Sequence, residues 1–139
     1  MEGDIFDTLK NEFNIEEEKA EAVSESPKYI EKVEEKLKNQ KYNIDDIEYM
    51  KTELMSLIAT NQTVLAGLAD QLKIGCPPHM YDVFRNLTET ISNQIMKLFQ
   101  LHKQMTDYQV VETNENLRKE VYRLGTTLMQ HSHQEPVQD

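Results

Sequence analysis

The chain has 139 residues, with 25 acidic against 15 basic side chains and a formal net charge of −10 at pH 7. This charge argues against a protein that coats nucleic acid through bulk electrostatics, because such binding depends on Lys and Arg neutralising phosphates. The length suits one domain with tails, and the lack of Trp and the scarcity of β-branched runs between turn residues disfavour a sheet-based core. We therefore expect an all-α fold.

The sequence contains neither an evident signal peptide nor an apolar run of membrane-spanning length, so we expect a cytoplasmic protein without a membrane partner. The single cysteine, Cys76, cannot form an internal disulfide, and we interpret it as a small turn residue rather than a catalytic thiol. His131 and His133 lie in a polar terminus without the further ligands that a zinc site needs. We expect no metal, no cofactor and no small-molecule substrate.

Residues 1–44 are predicted to form an acidic N-terminal arm with two helices. The stretch up to Ser26 is expected to be mobile except for a short amphipathic helix near its start. Two interpretations of that helix stay open: it is a strap packed on the domain, or it docks its apolar side into a groove of a partner protein. The partner-docking candidates on its apolar side are Ile5, Phe6, Leu9 and Phe13.

The second helix of the arm is predicted from Pro27 to about Gln40. Ser26 is a good N-cap, and proline suits the first helical position. Glutamates and lysines alternate along this helix, which is typical of a solvated helix supported by ion pairs rather than of a DNA-reading helix. Residues 39–43 are expected to form a linker, and residues 1–44 contain no convincing helix-turn-helix.

Residues 45–108 carry two apolar stripes at three- and four-residue spacing, separated by the helix breaker at residues 75–78. This pattern predicts a long antiparallel, coiled-coil-like helical hairpin. Asn43 or Asp45 is expected to cap its first helix, and Gly75 to end that helix with the left-handed geometry that glycine tolerates.

A hairpin of this length has more apolar surface than its two helices bury against each other. We therefore expect the chain to assemble laterally with copies of itself into a homo-oligomeric ring. Asn61 lies on the stripe, where it either fixes register and subunit number or faces water in a pore or groove. The residues predicted to form the contacts between copies are Ile47, Leu54, Leu57, Ile58, Asn61, Leu65, Leu68, Leu72, Phe84, Leu87, Ile91, Ile95, Leu98, Leu101 and Met105.

Residues 109–139 differ in character from the central segment. The valine pair at 110–111 is expected to form a short edge strand, which in a ring pairs with neighbouring copies. Thr113 or Asn114 is then expected to cap a helix that Gly125 ends or loosens, before a flexible tail. The apolar residues of this helix are Leu117, Val121, Leu124 and Leu128.

Three groups of residues in the central segment carry a resemblance to a known family. They are Asp45-Asp46-Ile47 with Lys51 and Leu54, then Pro78-His79-Met80-Tyr81-Asp82-Val83-Phe84 with Leu87, and finally Leu98 through Leu101-His102-Lys103 with Met105. With these spacings ungapped over a little under half of the chain, residues 45–105 resemble the central domain of small terminase subunits from T-even-type tailed bacteriophages. The start Met1-Glu2-Gly3-Asp4 is similar as well.

The resemblance implies a non-enzymatic subunit of a DNA-packaging motor, present in the host cytoplasm. Such a subunit forms a ring, recognises double-stranded viral DNA and regulates the large terminase subunit, which supplies the ATPase and nuclease chemistry. The sequence departs from the family pattern at His79, where a basic residue is usual, and at residues 95–97, which replace a polar stretch. The candidates for DNA contact are Arg85, Lys97 and Lys103.

The sequence contains no phosphate-binding glycine loop, no nucleophile elbow and no carboxylate pair with a reason for a shifted pKa, so we expect no enzymatic activity. Two other classes of function stay open. A structural coiled-coil adaptor unconnected with DNA would form a dimer or tetramer and would not affect an ATPase. A small phage-encoded regulatory factor would form a discrete dimer and bind specific DNA or a host protein.

Overall fold

A computed structural model of the chain describes residues 2–39 and 43–134. No strand occurs in these two ranges, which confirms the prediction of an all-α chain. Contacts divide the chain into one unit of residues 1–105 and a second unit of residues 106–139. The elements in chain order are α1 (Glu2–Asn11), α2 (Glu17–Lys38), α3 (Ile44–Ile74), a 3-10 turn at Pro78–Met80, and α4 (Tyr81–Gln134).

Helix α2 begins at Glu17 instead of Pro27, so the predicted helix start is wrong. Ser26 and Pro27 lie inside the helix, and the acidic run that was expected to be mobile forms its first turn. The physical reason is a stripe of small and apolar residues at three- and four-residue spacing, which α2 buries. The stripe contains Ala20, Val23, Ser26, Ile30, Val33 and Leu37.

The ends of helix α3 follow local rules that the sequence reveals. The Asn43 side chain accepts a hydrogen bond from the Asp46 N–H at 2.9 Å, and the Asp46 side chain accepts one from the Asn43 N–H at 3.1 Å. This reciprocal pair is a capping box. Gly75 ends the helix at a φ of +134°, which favours glycine because it has no Cβ. The predictions for Asn43 and Gly75 are therefore confirmed.

The C-terminal residues differ from their prediction. The valine pair at 110–111 lies in α4, so the predicted edge strand is wrong. Thr113 and Asn114 also lie inside α4, so neither of them caps a separate helix. Gly125 also lies inside α4 and does not end it. Helical spacing of apolar residues continues through this region, and it outweighs the strand preference of two valines. Residues 135–139 of the predicted tail and residues 40–42 of the predicted linker lie outside the described residues.

Two clusters of buried apolar side chains form the core of residues 1–105. The first cluster draws on α2, α3 and α4 and contains Ile30, Val33, Leu37, Ile47, Met50, Leu54, Ile58, Leu98, Leu101 and Met105. The second draws on all four helices and contains Leu9, Phe13, Ala20, Val23, Val64, Leu68, Leu87 and Ile91. Helices α1 and α2 thus cover apolar surface of α3 and α4 that was expected to contact neighbouring copies.

Candidate assembly and binding surfaces

Most of the residues predicted to contact neighbouring copies are buried within the chain. The buried ones are Ile47, Leu54, Ile58, Asn61, Leu68, Leu87, Ile91, Leu98, Leu101 and Met105. Four others pack against the core while partly exposed, namely Leu57, Leu65, Phe84 and Ile95. Leu72 is the most exposed of the set, at 41%. Contact of these residues with a neighbouring copy stays a prediction. A neighbouring copy can touch most of them only if α1 or α2 moves away.

The N-terminal docking candidates pack onto the same chain. Leu9 and Phe13 are buried in the second cluster. Ile5 and Phe6 are partly buried at the edge of that cluster. The Phe13 ring centroid lies 6.4 Å from that of Phe84, and the Gln71 amide donates to the Phe13 carbonyl at 2.6 Å. This packing is what the strap interpretation expects. Docking of the segment onto a partner protein stays a prediction.

A hydrogen-bonded group of three polar side chains lies in the core between α2, α3 and α4. We call Ser26, Asn61 and Gln94 the polar core cluster; their exposed fractions are 0%, 0% and 6%. Asn61 Nδ2 donates to Ser26 Oγ at 3.0 Å and to the Leu57 carbonyl at 2.8 Å. Asn61 Oδ1 accepts from Gln94 Nε2 at 3.2 Å. Asn61 therefore does not face water, and its amide favours one register of three helices within the chain.

Pro27 explains why a glutamine from α4 belongs to this cluster. Proline has no N–H, so Pro27 cannot donate to the carbonyl of Val23, four residues before it in the helix. Gln94 Nε2 donates to that carbonyl instead, at 3.0 Å. The Ser26 hydroxyl donates to the neighbouring Ala22 carbonyl at 2.8 Å. Helix α2 thus accommodates a proline in its interior because a side chain from another helix supplies the missing donor.

Ser26 was predicted only as a helix cap, and Gln94 was not singled out, although both positions carry a sequence signal. Gln94 falls between Ile91 and Leu98 at the three- and four-residue spacing of the apolar stripe. Ser26 occupies the equivalent place on the stripe of α2. A polar residue at such a position, next to a proline within a helical pattern, indicates a buried side chain that needs a hydrogen-bond partner.

A second polar group joins α2 to α3 near the surface. Burial raises the pKa of Tyr29, and the hydrogen bond and negative charge of Glu53 raise it further. Burial acts to raise the pKa of Glu53 too, but hydrogen bonds from Tyr29 and Tyr49 and the charges of Lys32 and Lys36 outweigh it. The pKa of the Glu53 carboxyl is therefore lowered from its usual 4.5. This group stabilises the ionised carboxylate at the junction of the two helices.

Because folding lowers the pKa of Glu53, its carboxylate stabilises the fold above the unfolded value of 4.5. That contribution is lost as the pH falls through the lower, folded value. Glu53→Gln is therefore expected to reduce the urea midpoint at neutral pH and to have a smaller effect near pH 3, because the carboxylate is increasingly protonated as the pH falls below its unfolded pKa. Urea unfolding at both pH values measures this, with the exposed Glu89→Gln as control. An equal effect of Glu53→Gln at both pH values would contradict the assignment.

The three candidate DNA-contact residues are exposed on α4 but do not share one side of the helix. Arg85 and Lys103 are about five turns apart at 3.6 residues per turn, so they lie on the same side, whereas Lys97 lies roughly a third of a turn away. Lys97 lines a surface groove of about 430 Å³ together with Glu31 and Glu34 of α2. Lys28 lines the same groove, so the charges there balance. Arg85 and Lys103 are the better candidates because they can contact one DNA duplex from the same side of the helix.

The described part of the second unit, residues 106–134, leaves large apolar side chains uncovered along α4. Between residues 110 and 129 the exposed fraction ranges from 48% for Leu124 to 78% for Tyr122. Five of these exposed residues form what we call the C-terminal stripe, namely Val110, Leu117, Val121, Leu124 and Leu128. A row of exposed apolar residues of this kind is a candidate surface for interaction with another chain.

Within residues 2–39 and 43–134, no group of three or more His, Cys, Asp or Glu residues is arranged to hold a metal ion. None of the helices in these ranges has both the length and the apolar character that a membrane crossing requires. No family model, curated protein or solved structure matches the chain. The assignment of a function therefore depends on the surfaces described above and on the residues of the chain itself.

Proposed function

We propose that this chain is a self-assembling, non-catalytic subunit of the small-terminase type. In this proposal it forms a homo-oligomeric ring in the host cytoplasm, recognises double-stranded viral DNA, and regulates the ATPase and nuclease of a large terminase subunit. The resemblance over residues 45–105 supports the family. The uncovered C-terminal stripe carries the proposal, because it supplies apolar surface that a second chain has to cover.

Burial of the C-terminal stripe is the driving force for self-assembly. Covering apolar surface contributes about 25 cal/mol per Å², and five aliphatic side chains are available on one helix. A helix without packing on its apolar side is only marginally stable in water. Another copy of the same chain is the one partner that is always present at equal concentration. Self-association therefore buries the exposed apolar side chains and stabilises the helix that carries them.

The central residues contribute to the proposed ring through the surface that α1 and α2 leave open. The first cluster pairs residues 47–58 of α3 with residues 98–105 of α4, and the second pairs residues 64–68 with residues 87–91. This order supports the proposed antiparallel hairpin of α3 and α4. Met55, Met96 and Phe99 are among the exposed apolar residues on these helices and suit lateral contacts between hairpins.

The DNA-binding part of the proposal depends on Arg85 and Lys103. Replacing both with glutamine is expected to weaken binding to phage DNA and to reduce the slope of log K against log salt by about 0.9 for each phosphate that the variant no longer neutralises. Filter binding across a salt series measures both quantities. Lys97→Gln is the matched control and is expected to change binding less. A wild-type chain that does not bind double-stranded DNA would contradict this part of the proposal.

A second candidate function, a coiled-coil adaptor unconnected with DNA, is favoured by the C-terminal stripe as well. An adaptor self-associates through the same residues but leaves a phage large-subunit ATPase unchanged. Adding the chain to a purified large terminase subunit and following ATP hydrolysis distinguishes the two functions. Stimulation supports the packaging role, and an unchanged rate together with no DNA binding supports the adaptor.

A further inference from the structure

We infer that residues 110–128 form a parallel, in-register, two-stranded coiled coil with the same segment of a second copy. This inference rests on the self-assembly in the proposed function, but not on DNA binding or on the large terminase subunit. It identifies the occupant of the C-terminal stripe as an identical helix and specifies how the two helices are aligned.

The C-terminal stripe follows a seven-residue repeat. Two sets of positions alternate at steps of three and four residues, as the a and d positions of a coiled coil do. The d positions are Val110, Leu117 and Leu124, and the a positions are Asn114, Val121 and Leu128. All six are exposed in the single chain. Such a narrow stripe fits one facing helix, whereas packing into a globular core usually calls for a wider apolar face.

The repeat in the C-terminal stripe is not a continuation of the buried stripe of α4. Positions 87, 91, 94, 98, 101 and 105 follow the same alternation of three and four residues and are buried. From Met105 to Val110 the step is five residues, where three or four would have continued the pattern. The break coincides with the boundary between the two units at residue 105. The C-terminal stripe is therefore a separate surface that needs its own partner.

Asn114 determines the orientation of the pair. In a parallel, in-register coil this residue faces Asn114 of the second copy, and the two amides hydrogen-bond to each other. An antiparallel pair centred on the segment places Asn114 against Leu124 and buries an amide without a partner. Val121 at an a position between the d-position leucines Leu117 and Leu124 also favours two strands.

The charges of the segment permit two copies to approach. The whole chain carries a net charge of −10, which opposes self-association over most of its surface. Between the core positions, acidic and basic residues balance one another, and Arg123 pairs with Glu120 on the same helix. The charged residues between positions 110 and 128 are Glu112, Glu115, Arg118, Lys119, Glu120 and Arg123.

Disulfide trapping in the full-length chain tests the inference. Cys76→Ser removes the native thiol, and single cysteines are then introduced as Leu117→Cys or Leu128→Cys at core positions. A parallel, in-register pair brings each of these positions close to its own counterpart, within the distance that a disulfide spans. Tyr122→Cys and Met129→Cys are the matched controls, because both positions are exposed on the same helix but lie outside the a and d sets.

Mild oxidation is expected to give covalent dimers with both core cysteines, in several-fold higher yield than with the two controls. Equal yields at core and control positions, or trapping at one core position alone, would overturn the parallel register. If light scattering shows a multimer while neither core cysteine is trapped, the coiled coil is excluded and the proposed self-assembly is retained. A chain that is monomeric by light scattering would exclude both the coiled coil and the proposed self-assembly.

Discussion

Replacing Gln94 with leucine is expected to lower the free energy of unfolding by about 1–2 kcal/mol, because two buried acceptors lose their donor. These acceptors are the Val23 carbonyl and Asn61 Oδ1. The loss is partly offset, since the substitution also removes the buried Gln94 Oε1, which has no hydrogen-bond partner among the described residues. Leucine is similar in size to glutamine, so a cavity contributes little. Urea unfolding at one fixed protein concentration measures the effect. Gln100→Leu, on the exposed surface of α4, is the matched control and is expected to change stability by less than about 0.5 kcal/mol.

Pro27→Ala provides the second half of this experiment. An alanine at this position restores a backbone N–H that can donate to the Val23 carbonyl. Gln94→Leu is therefore expected to cost about 1 kcal/mol less in the Pro27→Ala background than in the wild type. Equal costs in the two backgrounds would show that the glutamine does not replace the donor that the proline lacks.

Leu9→Ala is expected to lower the free energy of unfolding by about 3 kcal/mol, because removing a fully buried leucine side chain leaves a cavity. Leu9 is 0% exposed in the second cluster, among residues of α2, α3 and α4. The same urea experiment measures it, and Leu72→Ala, at a position that is 41% exposed, is the matched control with a smaller expected effect. A cost of less than about 0.5 kcal/mol for Leu9→Ala would mean that α1 is not a strap and would favour the docking interpretation.

Helix boundaries set by neighbouring residues could be predicted from the sequence. Asn43 and Gly75 act through hydrogen bonds and backbone geometry within a few residues, so the local pattern was sufficient. The start of α2 was predicted wrongly for the opposite reason. Ser26 and Pro27 have the local preferences of a helix start, but a donor on a distant helix, Gln94, makes the interior position acceptable.

The apolar stripes of α3 and α4 could be recognised, but not the elements that cover them. A periodic pattern shows that one side of a helix is buried and does not show against what it packs. Leu9 and Val23 cover these stripes in the chain, although the acidic residues around them favoured a solvated arm. The valine pair at 110–111 was similarly assigned from its strand preference, which the surrounding helical spacing outweighs.

Some of the candidate surfaces could be predicted from the sequence, and others could be predicted only in part. Arg85 and Lys103 were identified from their charge, and both are exposed on one side of α4. The polar core cluster was recognised only at Asn61, because the partners of a buried amide depend on how three helices meet. The exposed C-terminal stripe was recognised as apolar and helical, while its seven-residue repeat becomes informative once the chain itself is seen to leave it uncovered.

The proposed association of copies through the C-terminal stripe determines the mass of the 139-residue chain in solution. Sedimentation equilibrium at micromolar concentration is expected to give at least the dimer that the two-stranded coil forms, and a mass above a tetramer where lateral contacts between hairpins close the ring. Leu124→Asp is expected to reduce that mass, while Tyr122→Asp on the same helix leaves it unchanged. A wild-type chain that sediments as a folded protomer of 16.3 kDa would show that copies do not associate through the C-terminal stripe.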